Sequence, residues 1–304
     1  CLFFPVASVA AASLIFRGTR LAHATLADIT HREDHRMDDI RVASWAELND
    51  CLYEGSWNPH LARHRSPCAF RGVGDASFDL TTSLMRLGGD YASLETHILR
   101  AFRTYAQVGA LLHGMTSEWH WLALAQHHSL PTRLLDWTYS PFVALHFATE
   151  RLGLYHCDAA VWCVDLHHIQ RYLPGPLKSL LDENDADAFS VEMLATAAPT
   201  LTDFDALAPH PFVAFLEPPS IDERIVNQYA LFSLLSDPRA RMDAWLDAHP
   251  DAVRRIRIPA ALKWEIRDKL DNANITERVL YPGLDGLSRW LSRYYLPRAT
   301  HAGA

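Results

Sequence analysis

The feature that most constrains this chain is a short apolar run without polar alternation, Ala159-Ala-Val-Trp-Cys-Val164. A strand with one face in water alternates apolar and polar residues, whereas a strand covered on both faces does not. The run therefore predicts a central strand with apolar layers on both sides of its sheet. Further strand patterns are found at 68–73, 212–215, 229–235 and 253–258.

Helical patterns can supply those layers. From Asp90 to Tyr105 an apolar residue recurs every three or four positions, which predicts an amphipathic helix. Capping residues predict further helix starts at Ser44, Ser117 and Ser140, and Pro141 fits the first turn of the last of these. Additional helices are expected at 238–247, 260–271 and 284–294, whereas 165–210 is irregular. The predicted fold class is α+β, a single mixed domain with a β-sheet core and flanking helices.

The beginning of the chain differs from the rest. Residues 1–16 are mostly apolar, but the chain has no apolar run long enough to cross a membrane as a helix. Residues 18–38 are polar with mixed charge, which is typical of a linker. We expect residues 1–38 to be a poorly ordered leader or linker and the folded domain to cover residues 39–300.

Charge and cysteine content narrow the functional classes. The formal net charge is −8, which disfavours a protein that coats DNA through its phosphates. The five cysteines show no CxxC spacing, so neither a disulfide framework nor a thiolate zinc site is predicted. This usage favours a reducing compartment, and we expect a cytoplasmic location. The sequence does not determine the oligomeric state.

The densest group of polar residues lies between two apolar helix patterns. It contains, in chain order, Gln126, His127, His128, Thr132, Arg133, Asp136, Thr138 and Ser140. Such groups must be satisfied by one another, by backbone or by a ligand, so bracing of the loop and ligand contact are both open. An Arg133–Asp136 pair is one bracing arrangement. The two histidines are adjacent rather than four residues apart, so no metal site is predicted.

Two other segments carry isolated charges next to apolar sequence. Arg71 lies in the strand pattern Phe70-Arg71-Gly72, where an unpaired guanidinium would be costly to bury. Glu223 and Arg224 lead into the strand pattern that begins near Tyr229. The carboxylate of Glu223 either stands at the edge of a cleft or forms a surface pair with Arg224.

Together these segments resemble the FRG domain, a family named for its Phe-Arg-Gly motif. Phe70-Arg71-Gly72 matches that motif, and the run from Leu124 to Ala148 resembles the longest motif of the family. Asp222-Glu223-Arg224-Ile225 with Gln228, and Leu284-Asp285-Gly286-Leu287, match later motifs, so the resemblance covers about residues 40–297. The chain departs from the family at Ser129 and at Tyr229, where glycine is expected.

The order of these motifs is also similar to that of the ADP-ribosyltransferases. That resemblance implies a first strand with Arg71, a middle segment with Thr138, and a late segment with Glu223 just before a strand. It implies NAD as substrate, no metal, and catalytic roles for Glu223, Arg71 and Thr138. The cofactor-binding residues that it implies are Arg71, Gly72, His127, Arg133, Asp136, Trp137, Thr138, Ser140 and Gln228.

Three functions remain open at this stage. The first is cleavage of NAD with transfer of ADP-ribose to a protein, a nucleic acid or water, in a setting such as a toxin or a phage-defence effector. The second is a non-catalytic module that binds a nucleotide, a nucleic acid or a protein segment through His127, Arg133 and Asp136. The third is a hydrolytic site in which His127 or His128 acts with Asp136.

Overall fold

The computed structural model describes residues 37–106 and 117–298. Within these ranges the chain forms ten strands: β1 (Asp38–Arg41), β2 (Trp57–Asn58), β3 (Arg63–His64), β4 (Cys68–Val73), β5 (Leu135–Thr138), β6 (Ala159–Asp165), β7 (Phe189–Ser190), β8 (Val213–Glu217), β9 (Ala230–Leu235) and β10 (Val253–Ile258).

The same ranges contain thirteen α-helices: α1 (Trp45–Tyr53), α2 (Tyr91–Tyr105), α3 (Glu118–His127), α4 (Pro141–Thr149), α5 (Leu166–Ile169), α6 (Gly175–Asn184), α7 (Val191–Ala197), α8 (Leu201–Asp205), α9 (Glu223–Asn227), α10 (Met242–Asp247), α11 (Lys263–Asn272), α12 (Glu277–Leu280) and α13 (Leu284–Tyr294). None of the helices in the described ranges is long and apolar enough to cross a membrane.

Eight strands form one mixed sheet in the order β1-β10-β6-β4-β5-β9-β8-β7, and β2 pairs with β3 separately. The strand predicted at 159–164 is β6, which is fully buried between β10 and β4. The α+β fold class is confirmed: the described residues form a single mixed domain with helices packed on a sheet.

The large sheet consists of two halves that meet at one point. β4 pairs with β6 over six residues and β5 pairs with β9 over four, but β4 and β5 pair only at Phe70 and Thr138. On one face of the sheet, one half packs on α4 and α11, and the other half packs on α3 and α6–α8. The junction between β4 and β5 therefore lies where two separate helical layers adjoin.

The predicted helix starts at Ser44, Ser117 and Ser140 are confirmed. Each of these side chains accepts a hydrogen bond from a backbone N–H in the first turn of α1, α3 or α4. The amphipathic helix predicted from Asp90 is α2. The capping signals succeeded because they act through contacts within four residues, which sequence spacing alone specifies.

Three local expectations were wrong. The segment 165–210, expected to be irregular, contains four short helices and strand β7. The stretch before Ser140, expected to be a loop, contains the central strand β5. Glu223 does not stand directly before a strand: it is the first residue of α9, and β9 begins only at Ala230. Asp222 starts this helix because its carboxylate accepts a hydrogen bond from the N–H of Ile225 at 3.0 Å.

The boundary expected at residue 38/39 stays a prediction, because residues 1–36 lie outside the described part of the chain.

Candidate functional site

An exposed carboxylate marks the junction of the two half-sheets. Asp136 is exposed although its strand, β5, lies in the middle of the large sheet between β4 and β9. Its register partner on β9 is Phe232, which is buried under α3 and its neighbours. The helical layers therefore leave the central strand open to solvent at Asp136, and this opening is the candidate site.

Glutamine and threonine side chains fix Asp136 at the opening. Gln126, on the last turn of α3, donates its amide N–H to Asp136 Oδ1 at 2.9 Å. The buried hydroxyl of Thr132 donates in turn to Gln126 Oε1. The amide of Gln126 is thus oriented from both ends. The Arg133–Asp136 pair considered from the sequence is not formed.

Arg71 bridges the gap between the half-sheets. Its Nη1 donates to the backbone carbonyl of Asp136. In a continuous antiparallel pair, this carbonyl would accept a hydrogen bond from a backbone N–H of the neighbouring strand. Its Nε is buried and has no partner among the described residues. Burial lowers the pKa of Arg71, and the nearby Asp136 carboxylate partly offsets this effect.

Strand alternation separates the side chains of Arg71 and Thr138. Phe70 pairs with Thr138, and Phe70 belongs to the cluster beneath α4. Arg71 pairs with Trp162, which belongs to the cluster on the opposite face, as does Trp137. Because successive side chains leave a strand on opposite faces, Arg71 and Thr138 leave the sheet on different faces.

Thr138 instead joins β5 to the segment that carries Glu223. Its buried hydroxyl donates to the carbonyl of Gln228 at 2.7 Å and accepts the N–H of Ser140 at 3.0 Å. Gln228 caps α9 and donates its side-chain N–H to the carbonyl of Leu280 at 2.9 Å. The end of α9 is thereby held against both the central strand and α12.

A histidine–aspartate contact closes the other side of the opening. His127 Nε2 contacts Asp222 Oδ2, linking the last residue of α3 to the cap of α9. Burial lowers the pKa of His127, although the charge of Asp222 opposes the shift. His128 is exposed and meets His127 edge to face. The last residue of α3 and the cap of α9 are joined by the His127–Asp222 contact.

These contacts connect the predicted site residues in series rather than in one cluster. Arg71 contacts Asp136, Gln126 contacts Asp136, and the neighbouring His127 contacts Asp222. Glu223 follows Asp222 and is exposed, and no hydrogen bond or ion pair between Arg71 and Glu223 occurs among the described residues. Convergence of these two groups on one bound dinucleotide stays a prediction.

Three other predicted site residues make their contacts inside the protein. Trp137 is buried, and its indole N–H donates to the Ser233 hydroxyl at 2.7 Å. Arg133 is buried between the carboxylates of Glu95 and Asp205. Gly72 faces α4 so closely that a Cβ there would lie 1.8 Å from the carbonyl oxygen of Ala144. Their predicted contacts with a cofactor stay predictions, and the structure gives each a role in packing.

Sequence reasoning singled out Arg224 but did not connect it with Tyr281 or Arg289. Arg224 of α9 and Arg289 of α13 both lie over the Tyr281 ring, with each guanidinium carbon 5.3 Å from the ring centroid. Arg224 lies 57 positions before Tyr281, so no motif spacing could have revealed this arrangement. Within 37–106 and 117–298, no group of three or more His, Cys, Asp or Glu residues is placed to hold a metal ion.

Comparison with known families identifies the segment around the junction. Residues 66–153 match the FRG domain, a stretch that includes β4, α3, β5 and α4. The resemblance to this family is thus confirmed over the part of the chain that builds the candidate site. The match is shorter than the expected 40–297, and α9 and α13 lie outside it. No curated protein and no solved structure matches the chain.

Proposed function

We propose that the junction of the half-sheets binds NAD and that the protein cleaves the nicotinamide–ribose bond, transferring ADP-ribose to a macromolecule or to water. One observation carries the proposal. The segments with Arg71, Thr138 and Glu223 meet around one central strand: β5 lies between β4 and β9, and Thr138 holds the end of α9. The sequence predicted this order of segments but not their adjacency.

The chemistry needs few groups. The C–N bond between ribose C1′ and the pyridinium breaks, and its electron pair leaves with neutral nicotinamide. Positive charge develops on the ribose ring, and a carboxylate beside it stabilises that charge. Glu223 is assigned this role. The oxygen or nitrogen of the acceptor then bonds to C1′ and releases a proton.

The remaining residues orient the dinucleotide or the residues that hold it. Asp136 is exposed and fixed by Gln126, so its carboxylate can accept hydrogen bonds from ribose hydroxyls. Arg71 leaves the opposite face of the sheet and acts indirectly, by holding the backbone carbonyl of Asp136 through its hydrogen bond. Thr138 acts indirectly, by holding α9 and therefore Glu223 in place.

The test follows free nicotinamide when the purified protein is incubated with NAD and with protein or nucleic-acid acceptors. We expect Glu223→Gln to reduce the rate about 10²- to 10³-fold, because the amide cannot stabilise the developing charge. Glu183→Gln, a change at an exposed glutamate of α6, is the matched control and should retain the wild-type rate. The proposal is wrong if wild-type protein releases no nicotinamide, or if Glu223→Gln is as active as wild type.

A non-catalytic nucleotide-binding module is the second candidate. It is favoured by the placement of Arg71, which contacts Asp136 rather than Glu223. Calorimetric titration with NAD discriminates the two. Binding without release of nicotinamide, weakened by Asp136→Asn but not by Glu223→Gln, would support this alternative.

A further inference from the structure

Two arginines, Arg224 and Arg289, lie on the ring of Tyr281 without an ion pair of their own in the described ranges. Neither Arg224 nor Arg289 has a carboxylate within 4.0 Å among the described residues. Arg293 of the same helix α13, by contrast, is buried between Glu277 and Asp271. Two guanidinium groups that share one ring repel each other, and an anion would relieve this repulsion.

One acidic side chain and one further arginine lie next to the ring of Tyr281. The Tyr281 hydroxyl donates to Glu150 Oε2 at 3.2 Å, and Arg151 lies 3.9 Å from the other oxygen of that carboxylate. Burial raises the pKa of Glu150, although Tyr281 and Arg151 oppose the shift. Arg151 and Arg289 therefore act on the Glu150 carboxylate, whereas Arg224 contacts the ring of Tyr281 in a protein whose formal net charge is −8.

The position of Arg224 suggests which anion binds. Arg224 follows Glu223, the residue assigned to the reacting ribose, on the same first turn of α9. In NAD, that ribose carries the diphosphate on its C5′ oxygen, one sugar away from C1′. A group that binds the diphosphate must therefore lie close to the group that stabilises C1′, and Arg224 meets this requirement.

We propose that Arg224 and Arg289, held by Tyr281, bind the diphosphate of the dinucleotide. This inference rests on the proposed function and adds the anchor for its substrate. Guanidinium groups suit the role because they offer phosphate oxygens two parallel N–H donors. The ring of Tyr281 keeps both side chains in place before the ligand arrives, which lowers the entropy lost on binding.

The test measures the affinity of the purified protein for inorganic pyrophosphate and for ADP-ribose by calorimetry. Arg224→Gln and Arg289→Gln should each weaken both ligands roughly tenfold. Arg278→Gln is the matched control, because Arg278 stacks on Trp290 at 4.6 Å in the same C-terminal region. This variant should bind within twofold of wild type.

Kinetics supply a second measurement. Because the diphosphate does not react, its contacts are alike in the bound substrate and the transition state, so Arg224→Gln should raise KM and leave kcat nearly unchanged. If a glutamine variant fails to fold, Arg224→Lys and Arg289→Lys replace it. They keep the charge but lose the paired donors, and they should weaken ADP-ribose binding severalfold.

The two proposals fail differently. ADP-ribose binding that depends on Arg224 and Arg289, without release of nicotinamide from NAD, would overturn the enzymatic function and leave the diphosphate site standing. Release of nicotinamide that is indifferent to both arginines would overturn the diphosphate site alone. Wild-type protein that binds neither pyrophosphate nor ADP-ribose would also overturn it.

Discussion

Two single residues hold a backbone conformation that favours glycine. Ser129 and Tyr229 occupy the positions at which glycine was expected, and both have left-handed backbone, with φ of 62° and 47°. Glycine adopts this conformation without steric cost, whereas a side chain costs about 1–2 kcal/mol. Backbone geometry thus accounts for the expectation of glycine, because the turn after α3 and the turn after α9 both have positive φ.

This leads to a prediction at Ser129, which is exposed and ends the turn after α3. Ser129→Gly should raise the free energy of unfolding by about 0.5–1 kcal/mol, since relief of strain exceeds the extra entropy of glycine in the unfolded chain. Urea denaturation provides the measurement. Ser129→Ala keeps the Cβ and is the control; an equal gain in that variant would show that backbone strain is not the cause.

At the scale of secondary-structure elements, one arginine connects a strand with two helices. Arg133, just before β5, donates from Nε to Glu95 of α2 at 2.9 Å and 2.8 Å, and from Nη2 to Asp205 of α8 at 3.1 Å. These hydrogen bonds raise the pKa of Arg133 even though burial opposes the shift. The guanidinium therefore fixes the start of the central strand against two helices.

We predict that Arg133→Met destabilises the fold by about 3–5 kcal/mol, because Glu95 would keep a buried charge without its partner. Arg100→Met removes an exposed arginine of α2 and should stay within about 0.5 kcal/mol of wild type. Urea denaturation of the three proteins measures this difference. Normal stability of Arg133→Met with loss of NAD binding would instead place Arg133 in the ligand site.

At the scale of the whole molecule, a buried histidine ties the C-terminal helices to the sheet. His146 of α4 is fully buried, and its Nδ1 accepts a hydrogen bond from Arg267 of α11 at 3.0 Å. Burial, together with the charge of Arg267, lowers the pKa of His146 to about 3. The neighbouring Glu277, whose pKa falls to about 2 through its hydrogen bonds with Arg293 despite burial, stays ionised beside it.

The stability of the protein should therefore fall in acid. An unfolded histidine titrates near pH 6.5, so below that pH the unfolded chain binds a proton that the folded chain does not. The free energy of unfolding should decrease from pH 6.5 towards pH 3 by up to about 1.4 kcal/mol per pH unit. Denaturation at several pH values measures the slope. His146→Gln keeps an acceptor for Arg267 and should flatten it; an unchanged slope would assign the effect to other groups.

The sequence by itself determined the features that depend on near neighbours. Serine caps and apolar periodicity fixed α1 to α4, and the absence of alternation identified β6 as a central strand, because each signal acts within a few residues. Sequence reasoning also singled out Arg71 and Asp136, which meet at the junction, because they are charges beside apolar sequence.

Only the tertiary structure decided how those residues are arranged. Four residues of β5 carry too little pattern to be told from a loop. Their strand character comes from pairing with β9, whose partner residues lie 92 to 98 positions later in the chain. The same long-range packing buries Arg133 and Trp137, exposes Asp136, and brings Arg224 and Arg289 to one tyrosine. Such placements depend on contacts between distant segments, which no local spacing encodes.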